Sequence, residues 1–276
     1  MITWIAIKLQ NFGYRLELIK ECTRLIKAKR FMPRNFIKLC IKDPNKYDDF
    51  INLICFLDNK KTINLIDIGA NVGNFTKGFL DFFPNCKKIV CFEPIPSLVD
   101  KIAKNVSDER LQIINSALGS SISKKTIKYP IQNTPIASFY QYRSELHNFY
   151  SPTNIIQEKV KVLRLDDICK TFSTKNKFIV KIDVQGSELD VIKGGMSVLS
   201  RASAVIIEAS FVPMYSNRKK TSFMEISKQL EIAGLFPIIF QGYGKEESIY
   251  PFERDIIFVK GKLLPKIFFK NYSNNN

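Results

Sequence analysis

From Thr62 onward the chain alternates short apolar runs with amphipathic segments, and this alternation restricts its fold more than any other feature. The runs have the length of buried strands, and the segments between them repeat apolar residues at helical spacing. The pattern predicts strands at 63–68, 88–92, 111–114, 178–183, 204–208, 235–241 and 255–260, and helices at 72–83, 97–106, from 187 and from 222. Strands that alternate with helices form a mostly parallel sheet.

The final two predicted strands have no helix between them, which predicts that one of them runs antiparallel to the others. The predicted fold class is therefore α/β and Rossmann-like. It has a mostly parallel seven-stranded sheet with one antiparallel strand and helices on both faces.

We expect this domain to span 61–262, after an N-terminal helical extension at 1–60 and before a basic, Asn-rich tail at 263–276. Within it, 121–165 is predicted to be an irregular insert on the substrate side, with strands at 122–129 and 159–165 around a loop-rich segment. Residues 2–30 predict a basic amphipathic helix, which either packs on the domain or lies on an anionic membrane surface.

The first predicted turn, 67–73, has the sequence DIGANVG and joins a strand to a helix. Gly69 and Gly73, with Asn71 between them, allow a tight turn and close approach of the backbone to a ligand. The third glycine of a pyrophosphate-binding G-x-G-x-x-G loop is missing. Asp67 would repel a pyrophosphate but suits the ammonium of an amino acid, so these four residues are candidate cofactor ligands.

Glu93 ends the second predicted strand, where a carboxylate accepts hydrogen bonds from both hydroxyls of a ribose. Its spacing from the turn fits a nicotinamide dinucleotide or S-adenosylmethionine, and Asp67 together with the missing glycine favours S-adenosylmethionine. Ser116 and Ala117 follow the third strand and are candidates for an adenine pocket.

Three further acids follow strands at the same edge of the predicted sheet. Asp183 is the candidate catalytic residue, placed to orient a substrate hydroxyl, take its proton or bind a metal. Glu208 and Glu188 are candidate substrate contacts, although Glu188 also suits the first turn of its own helix.

His147 is a rival base, and Arg143 a candidate substrate contact, within the aromatic stretch 139–150. A single histidine in such a stretch also occurs at a surface or in packing. The aromatic residues and Arg143 either grip a sugar or form a small accessory core.

The six cysteines form no C-x-x-C motif and His147 is the single histidine, so no zinc site is predicted. Asp183 and Glu208 are too few ligands to predict any other metal, and a divalent cation stays an open alternative. Scattered thiols are typical of reduced, cytosolic proteins. The net charge of +16 favours acidic partners, but abundant Lys, Ile, Asn and Phe, with their AT-rich codons, explain it equally well.

In combination, several motifs resemble those of the FkbM-type methyltransferase family. They are DIGANVGNFT from 67, FEP from 92, ALG from 117, LDDI from 165, KIDVQGSEL from 181, IE from 207 and RDIIFV from 254. The resemblance covers about 60 to 260 and implies a class I methyltransferase fold with O-methylation of a sugar or natural-product hydroxyl. The family often has Glu where this chain has Gln185.

The leading hypothesis is an S-adenosylmethionine-dependent O-methyltransferase that acts on a saccharide, a glycoconjugate or a natural product. One alternative is a nucleic-acid methyltransferase, although no Asn-Pro-Pro-Tyr-like motif or RNA-binding module is present. Another is a non-catalytic Rossmann-like binding module. We expect a cytoplasmic protein, either free or held at the inner face of the membrane through residues 1–30, and we predict no oligomeric state.

Overall fold

The computed structural model describes Phe31 and residues 48–130, 134–141, 154–172, 175–211, 214–216, 222–240 and 253–264. The strands are β1 (Ile63–Ile68), β2 (Ile89–Phe92), β3 (Leu111–Ile114), β4 (Ala117–Leu118), β5 (Ser123–Pro130), β6 (Ile155–Leu163), β7 (Lys177–Ile182), β8 (Ala204–Ser210), β9 (Leu235–Phe240) and β10 (Glu253–Lys260). The helices are α1 (Asp48–Phe56), α2 (Asn74–Phe82), α3 (Pro96–Val106), α4 (Leu165–Ile168), α5 (Glu188–Gly194), α6 (Met196–Leu199) and α7 (Phe223–Ile232).

Seven strands form the main sheet in the order β3-β2-β1-β7-β8-β10-β9. The pairs from β3 to β8 are parallel, whereas β10 is antiparallel to both of its neighbours. The predicted fold class, including the single antiparallel strand, is therefore confirmed. In the register, Ile68 pairs with both Phe92 and Ile182, so β1, β2 and β7 end together at one edge.

The sheet is covered on both faces, as predicted. All six residues of β1 are buried. Ile63 and Leu65 belong to a core that includes residues of α1 and α2. Ile66 and Ile68 belong to a second core with residues of α5, α6 and α7. Because alternate residues of a strand point to opposite faces, Asp67 lies on the side of α2.

Helix α1 shares the first core, although it precedes the boundary expected at residue 60. The ring of Phe50 stacks on that of Phe82 of α2, with 5.1 Å between the ring centroids. It also contacts the ring of Phe75 of α2, with 5.0 Å between the centroids. The predicted helix at 2–30 and most of the predicted tail lie outside the described residues. Among the described helices, none has both the length and the apolar character needed to cross a bilayer.

The region 121–165, expected to be irregular, is more regular in its described part. Strand β6 lies between β4 and β5 in a second, three-stranded sheet. It begins at Ile155, four residues earlier than the start predicted at 159. The inner face of this sheet, which includes Ala117 of β4, packs against the start of α3. The buried residues of this contact are Ile95, Leu98, Ala117, Ile127, Tyr129, Val160 and Val162.

The helix predicted to run on from 187 is divided at Gly195 into α5 and α6. The division follows from close packing at two glycines. A Cβ on Gly195 would lie 2.7 Å from Cδ2 of Leu165, and a Cβ on Gly194 would lie 2.0 Å from the carbonyl oxygen of Gly119. The absence of side chains therefore lets the end of α5 rest directly on the backbone after β4.

We expect Gly194→Ala to lower the free energy of unfolding by about 1–3 kcal/mol, because the new methyl group overlaps a backbone oxygen. In an ordinary helix interior the same change would raise it by roughly 1 kcal/mol. Denaturant titration followed by circular dichroism measures the difference, with the exposed neighbour Lys193→Ala as control. A gain in stability for Gly194→Ala would contradict this account of the packing.

Candidate active site

Two adjoining cavities lie at the edge where β1, β2 and β7 end. The first cavity, of about 190 Å³, includes Glu93, Ser116 and Glu208 in its lining. The second cavity, of about 290 Å³, includes Asp67 and Lys181. Gly69, Asn71 and Asp183 line both cavities, so the two adjoin at the turn after β1, and we call them together the cleft.

Asp67 lies at the floor of the second cavity with 1% of its surface exposed. The hydroxyl of Thr76 in α2 donates a 2.6 Å hydrogen bond to its Oδ2. Burial raises the pKa of Asp67 to about 6, against the opposing effect of the Thr76 hydrogen bond. Asp67 is thus a buried carboxylate that borders a cavity, as its place in the predicted turn suggested. A cationic ligand in that cavity would stabilise its ionised form.

Gly69 is required by a close contact between two strand ends. Its φ is +81°, and a Cβ at this position would lie 1.8 Å from the carbonyl oxygen of Asp183. Its amide donates to the carbonyl of Phe92 at 2.9 Å, which ties the turn to β2 as well. Gly73 also has a φ of +81°, but the space beside it is filled by Val106 of α3, so its role is to let α2 and α3 pack.

Glu93 lines the first cavity with 4% of its surface exposed. Its Oε2 accepts the amide of Asn71 at 2.8 Å, and its Oε1 accepts the amide of Ile95 at 2.9 Å. Burial raises its pKa to about 7. Backbone amides therefore fix the orientation of this carboxylate, and each oxygen keeps lone pairs for a ligand.

Two buried serine hydroxyls line the first cavity without a hydrogen-bond partner. One is Ser116, which the sequence predicted together with the neighbouring Ala117, and the other is Ser187, which it did not. A buried hydroxyl without a partner is costly, and a polar ligand in the cavity would satisfy both groups.

Asp183, Gln185 and Glu208 meet at the side of the first cavity. The amide of Gln185 donates to Oδ1 of Asp183 at 3.2 Å and to Oε2 of Glu208 at 2.5 Å. Burial, followed by the negative charge of Asp183, holds the pKa of Glu208 well above its ordinary value. The two acids that the sequence predicted are thus brought together, and the amide at position 185 is what joins them.

Lys181 was quoted in a motif but not predicted as a site residue. It is 5% exposed, and its Nζ lies 2.6 Å from Oδ1 of Asp255 and 3.5 Å from Oδ2 of Asp183. The Nζ also lies 6.0 Å from the ring centroid of Phe75. The sequence does contain a signal for this role, because a lysine inside an apolar strand needs an anionic partner close by.

The segment 134–139 borders the first cavity through Thr134, Pro135, Ala137 and Phe139. It is attached to the end of β7, because the Ser138 hydroxyl donates to the carbonyl of Gln185 at 2.6 Å. Part of the predicted insert therefore reaches the cleft. His147 and Arg143 belong to the same insert but lie outside the described residues.

Glu188 does not belong to the lining of either cavity. It is buried, and its Oε1 accepts the amide of Gly186 at 2.8 Å, which supports the turn that enters α5. The contact of Glu188 with substrate stays a prediction. The interaction that the structure shows is the support of the turn before α5. Within the described part of the chain, no group of three or more His, Cys, Asp or Glu side chains is arranged to hold a metal ion.

A family model described as "Methyltransferase FkbM domain" matches residues 67–234. The chain is 24% identical over 185 residues to the 2-O-methyltransferase NoeI of Sinorhizobium fredii, covering 63% of this chain and 74% of that protein. It is 24% identical over 206 residues to the hexuronic acid methyltransferase AglP of Haloferax volcanii, covering 74% of this chain and 78% of that protein.

A solved structure, the methyltransferase FkbM of Methylobacillus flagellatus KT, matches with a TM-score of 0.47 and 13% identity. The match covers 71% of this chain and 43% of that one, so this chain aligns with less than half of the solved protein.

We expect Asp67→Asn to stabilise the protein above pH 6 and to have little effect near pH 4. The folded-state pKa is raised from 3.8 to about 6, so the folded protein binds more protons than the unfolded chain between these values. Stability from this group is therefore lost as the pH rises through that window, by about 3 kcal/mol in total.

The difference between Asp67→Asn and the unmodified protein is measured by denaturant titration from pH 4 to pH 8. The exposed Asp100→Asn serves as the control for loss of one negative charge. The account fails if Asp67→Asn is no more stable than the unmodified protein at pH 8.

Proposed function

The chain belongs to the FkbM methyltransferase family, and from that premise we propose that it moves a methyl group from S-adenosylmethionine to a saccharide hydroxyl. The observation that carries the proposal is the pair of adjoining cavities, of which Asp67 lines one, Glu93 lines the other and Asp183 lines both. A donor with an amino-acid end and a nucleoside end needs this arrangement, with the reactive group near the point where the cavities join.

The residues of the two cavities suit the two ends of this donor. In the second cavity, Asp67 would accept the ammonium, and Lys181 would face the carboxylate. In the first cavity, Glu93 would accept the two ribose hydroxyls. Ser116 and Ala117 would border the adenine, and the unpartnered hydroxyl of Ser116 supplies a hydrogen bond for it.

When bound, S-adenosylmethionine supplies a sulfonium-activated methyl group, to which an acceptor oxygen bonds as the carbon–sulfur bond breaks. Asp183 would take the proton of the acceptor hydroxyl on its carboxylate. Gln185 contacts Oδ1 of Asp183 at 3.2 Å and Lys181 contacts Oδ2 at 3.5 Å, which fixes the orientation of the carboxylate. Such alignment of the reacting atoms is itself a large source of rate.

The acceptor class rests on the relatives and on the polar groups of the first cavity. One relative is named a 2-O-methyltransferase and the other a hexuronic acid methyltransferase. Glu208, Gln185 and Ser187 border the first cavity beside Asp183 and offer hydrogen bonds to several hydroxyls of one sugar ring. A saccharide is therefore the acceptor we propose, as a free sugar or as part of a glycoconjugate.

We expect donor affinity to rise between pH 6 and pH 8, because the pKa of Glu93 is raised to about 7 and the ionised form accepts both ribose hydroxyls best. Glu93→Gln should bind S-adenosylmethionine at least about tenfold more weakly at pH 8 and show a smaller dependence on pH. Isothermal titration calorimetry measures both effects. Circular dichroism verifies the fold, and Asp100→Asn serves as the control.

We expect Asp183→Asn to reduce methyl transfer by a factor of about 100 or more, since it removes a general base. Donor affinity should change little, because Asp67, Lys181 and Glu93 are intact. The assay follows labelled methyl from S-adenosylmethionine into purified oligosaccharides that contain neutral hexoses or hexuronic acids, with RNA as a further acceptor. Transfer to RNA alone would replace the saccharide proposal by the nucleic-acid alternative, and equal rates for Asp183→Asn would exclude Asp183 as the base.

A further inference from the structure

The outer face of the β5–β6 pair carries a cluster of exposed lysines. Directly opposed residues of an antiparallel pair point to the same side of the sheet. The register pairs Lys124 with Lys161, Thr126 with Lys159 and Lys128 with Gln157, and all six side chains are exposed. We call this set the lysine face.

Among the residues that the structure describes, no acid pairs with these lysines. Glu158, the single acid of the two strands, lies on the inner side, where the Tyr129 hydroxyl donates to its Oε2 at 3.0 Å. None of the four lysines forms an ion pair with a carboxylate of the described residues. Like charges placed directly opposite each other, as Lys124 and Lys161 are, destabilise a sheet. Folding of the sheet therefore does not explain the lysine face.

Protection against aggregation explains at most the lysines of β5, which are half of the lysines in the lysine face. Lysines on an edge strand discourage pairing with another sheet, and β5 is an edge strand of its sheet. Strand β6 lies in the centre, yet it carries Lys159 and Lys161. The lysines of β6 call for a different reason.

Two exposed isoleucines lie at opposite ends of the lysine face. Ile155, 50% exposed, is on the outer side of β6 opposite Pro130, and Ile122, 68% exposed, directly precedes β5. Cations flanked by exposed apolar side chains fit a lipid interface, where lysines meet anionic headgroups and apolar groups enter the acyl boundary. Surfaces for single-stranded nucleic acid offer aromatic side chains for stacking, and the lysine face has none.

We propose that the lysine face, with Ile122 and Ile155, docks the protein on a membrane leaflet rich in anionic phospholipid. The inner side of the same sheet packs Ile127, which also lines the first cavity. Docking in this way leaves only the three-stranded sheet between the lipid surface and the first cavity. This interaction is separate from catalysis, and it requires no donor or acceptor.

The test measures sedimentation of the full chain with vesicles of phosphatidylglycerol and phosphatidylcholine in equal parts, and with phosphatidylcholine alone. One variant replaces Lys124, Lys128, Lys159 and Lys161 by Gln. A matched variant replaces four exposed helical lysines, Lys101, Lys104, Lys193 and Lys228, and has the same net charge. Each interfacial lysine contributes about fivefold to the partition coefficient, and four such factors multiply to about 600-fold. We therefore expect a loss of that order, and at least about twentyfold, for the lysine-face variant. The matched variant should lose less than about threefold.

A second pair of variants tests the apolar contribution. Ile122→Asn with Ile155→Asn should weaken vesicle binding about tenfold. The matched change of Met224→Asn with Ile232→Asn, on α7, should not, although these two side chains are on average more exposed. Equal losses in the two lysine variants, or unchanged binding of the lysine-face variant, would overturn the proposal. It would also be overturned if that variant lost binding to single-stranded RNA while its vesicle binding was unchanged. Unaltered circular dichroism spectra ensure that the comparisons concern folded protein.

Discussion

The architecture of the cleft depends on one close contact, between the α-carbon of Gly69 and the backbone of Asp183. Any side chain at position 69 would overlap that carbonyl oxygen, at 1.8 Å from its Cβ. The contact brings the turn after β1 against the end of β7, while the amide of Gly69 binds the end of β2. Three strand ends are thereby held together, and each supplies one carboxylate, namely Asp67, Glu93 and Asp183. The two cavities adjoin because these ends converge.

A second constraint is the amount of negative charge collected in a partly dry site. Desolvation raises the pKa values of Asp67 and Glu93 towards neutrality. Thr76 and backbone amides hold these carboxylates in place without neutralising their negative charge. The positive charge of Lys181 offsets part of the negative charge of the site through its ion pair with Asp255. A ligand that brings an ammonium, a sulfonium and several hydroxyls would stabilise these buried carboxylates in their ionised form. The electrostatics of the cleft therefore favour the donor that we propose over an anionic dinucleotide.

The parts of the site that sequence reasoning found are those fixed by local pattern. Glu93 and Asp183 were predictable because an apolar run identifies a strand, and the residue after it lies at the ligand-binding edge. Thr76, Lys181 and Ser187 were missed for a different reason. The partner of Thr76 lies nine residues earlier and that of Lys181 lies 74 residues later. The position of Lys181 in an apolar strand signals a buried anionic partner, but which residue is the partner appears only when helix and strands are assembled. The break at Gly195 likewise depends on contacts with Leu165, which is distant in sequence.

Strand β10 is the last described strand in the chain, yet it lies between β8 and β9 in the sheet. During translation, β9 therefore leaves the ribosome before the strand that will bind it, and it has no partner until β10 inserts. The insertion of β10 also brings Asp255 to Lys181. Before that, Lys181 lacks its nearest counter-ion. A nascent chain halted before residue 253 would have an open sheet and would lack Asp255 in the lining of the second cavity, so the cleft is complete only once β10 has been made.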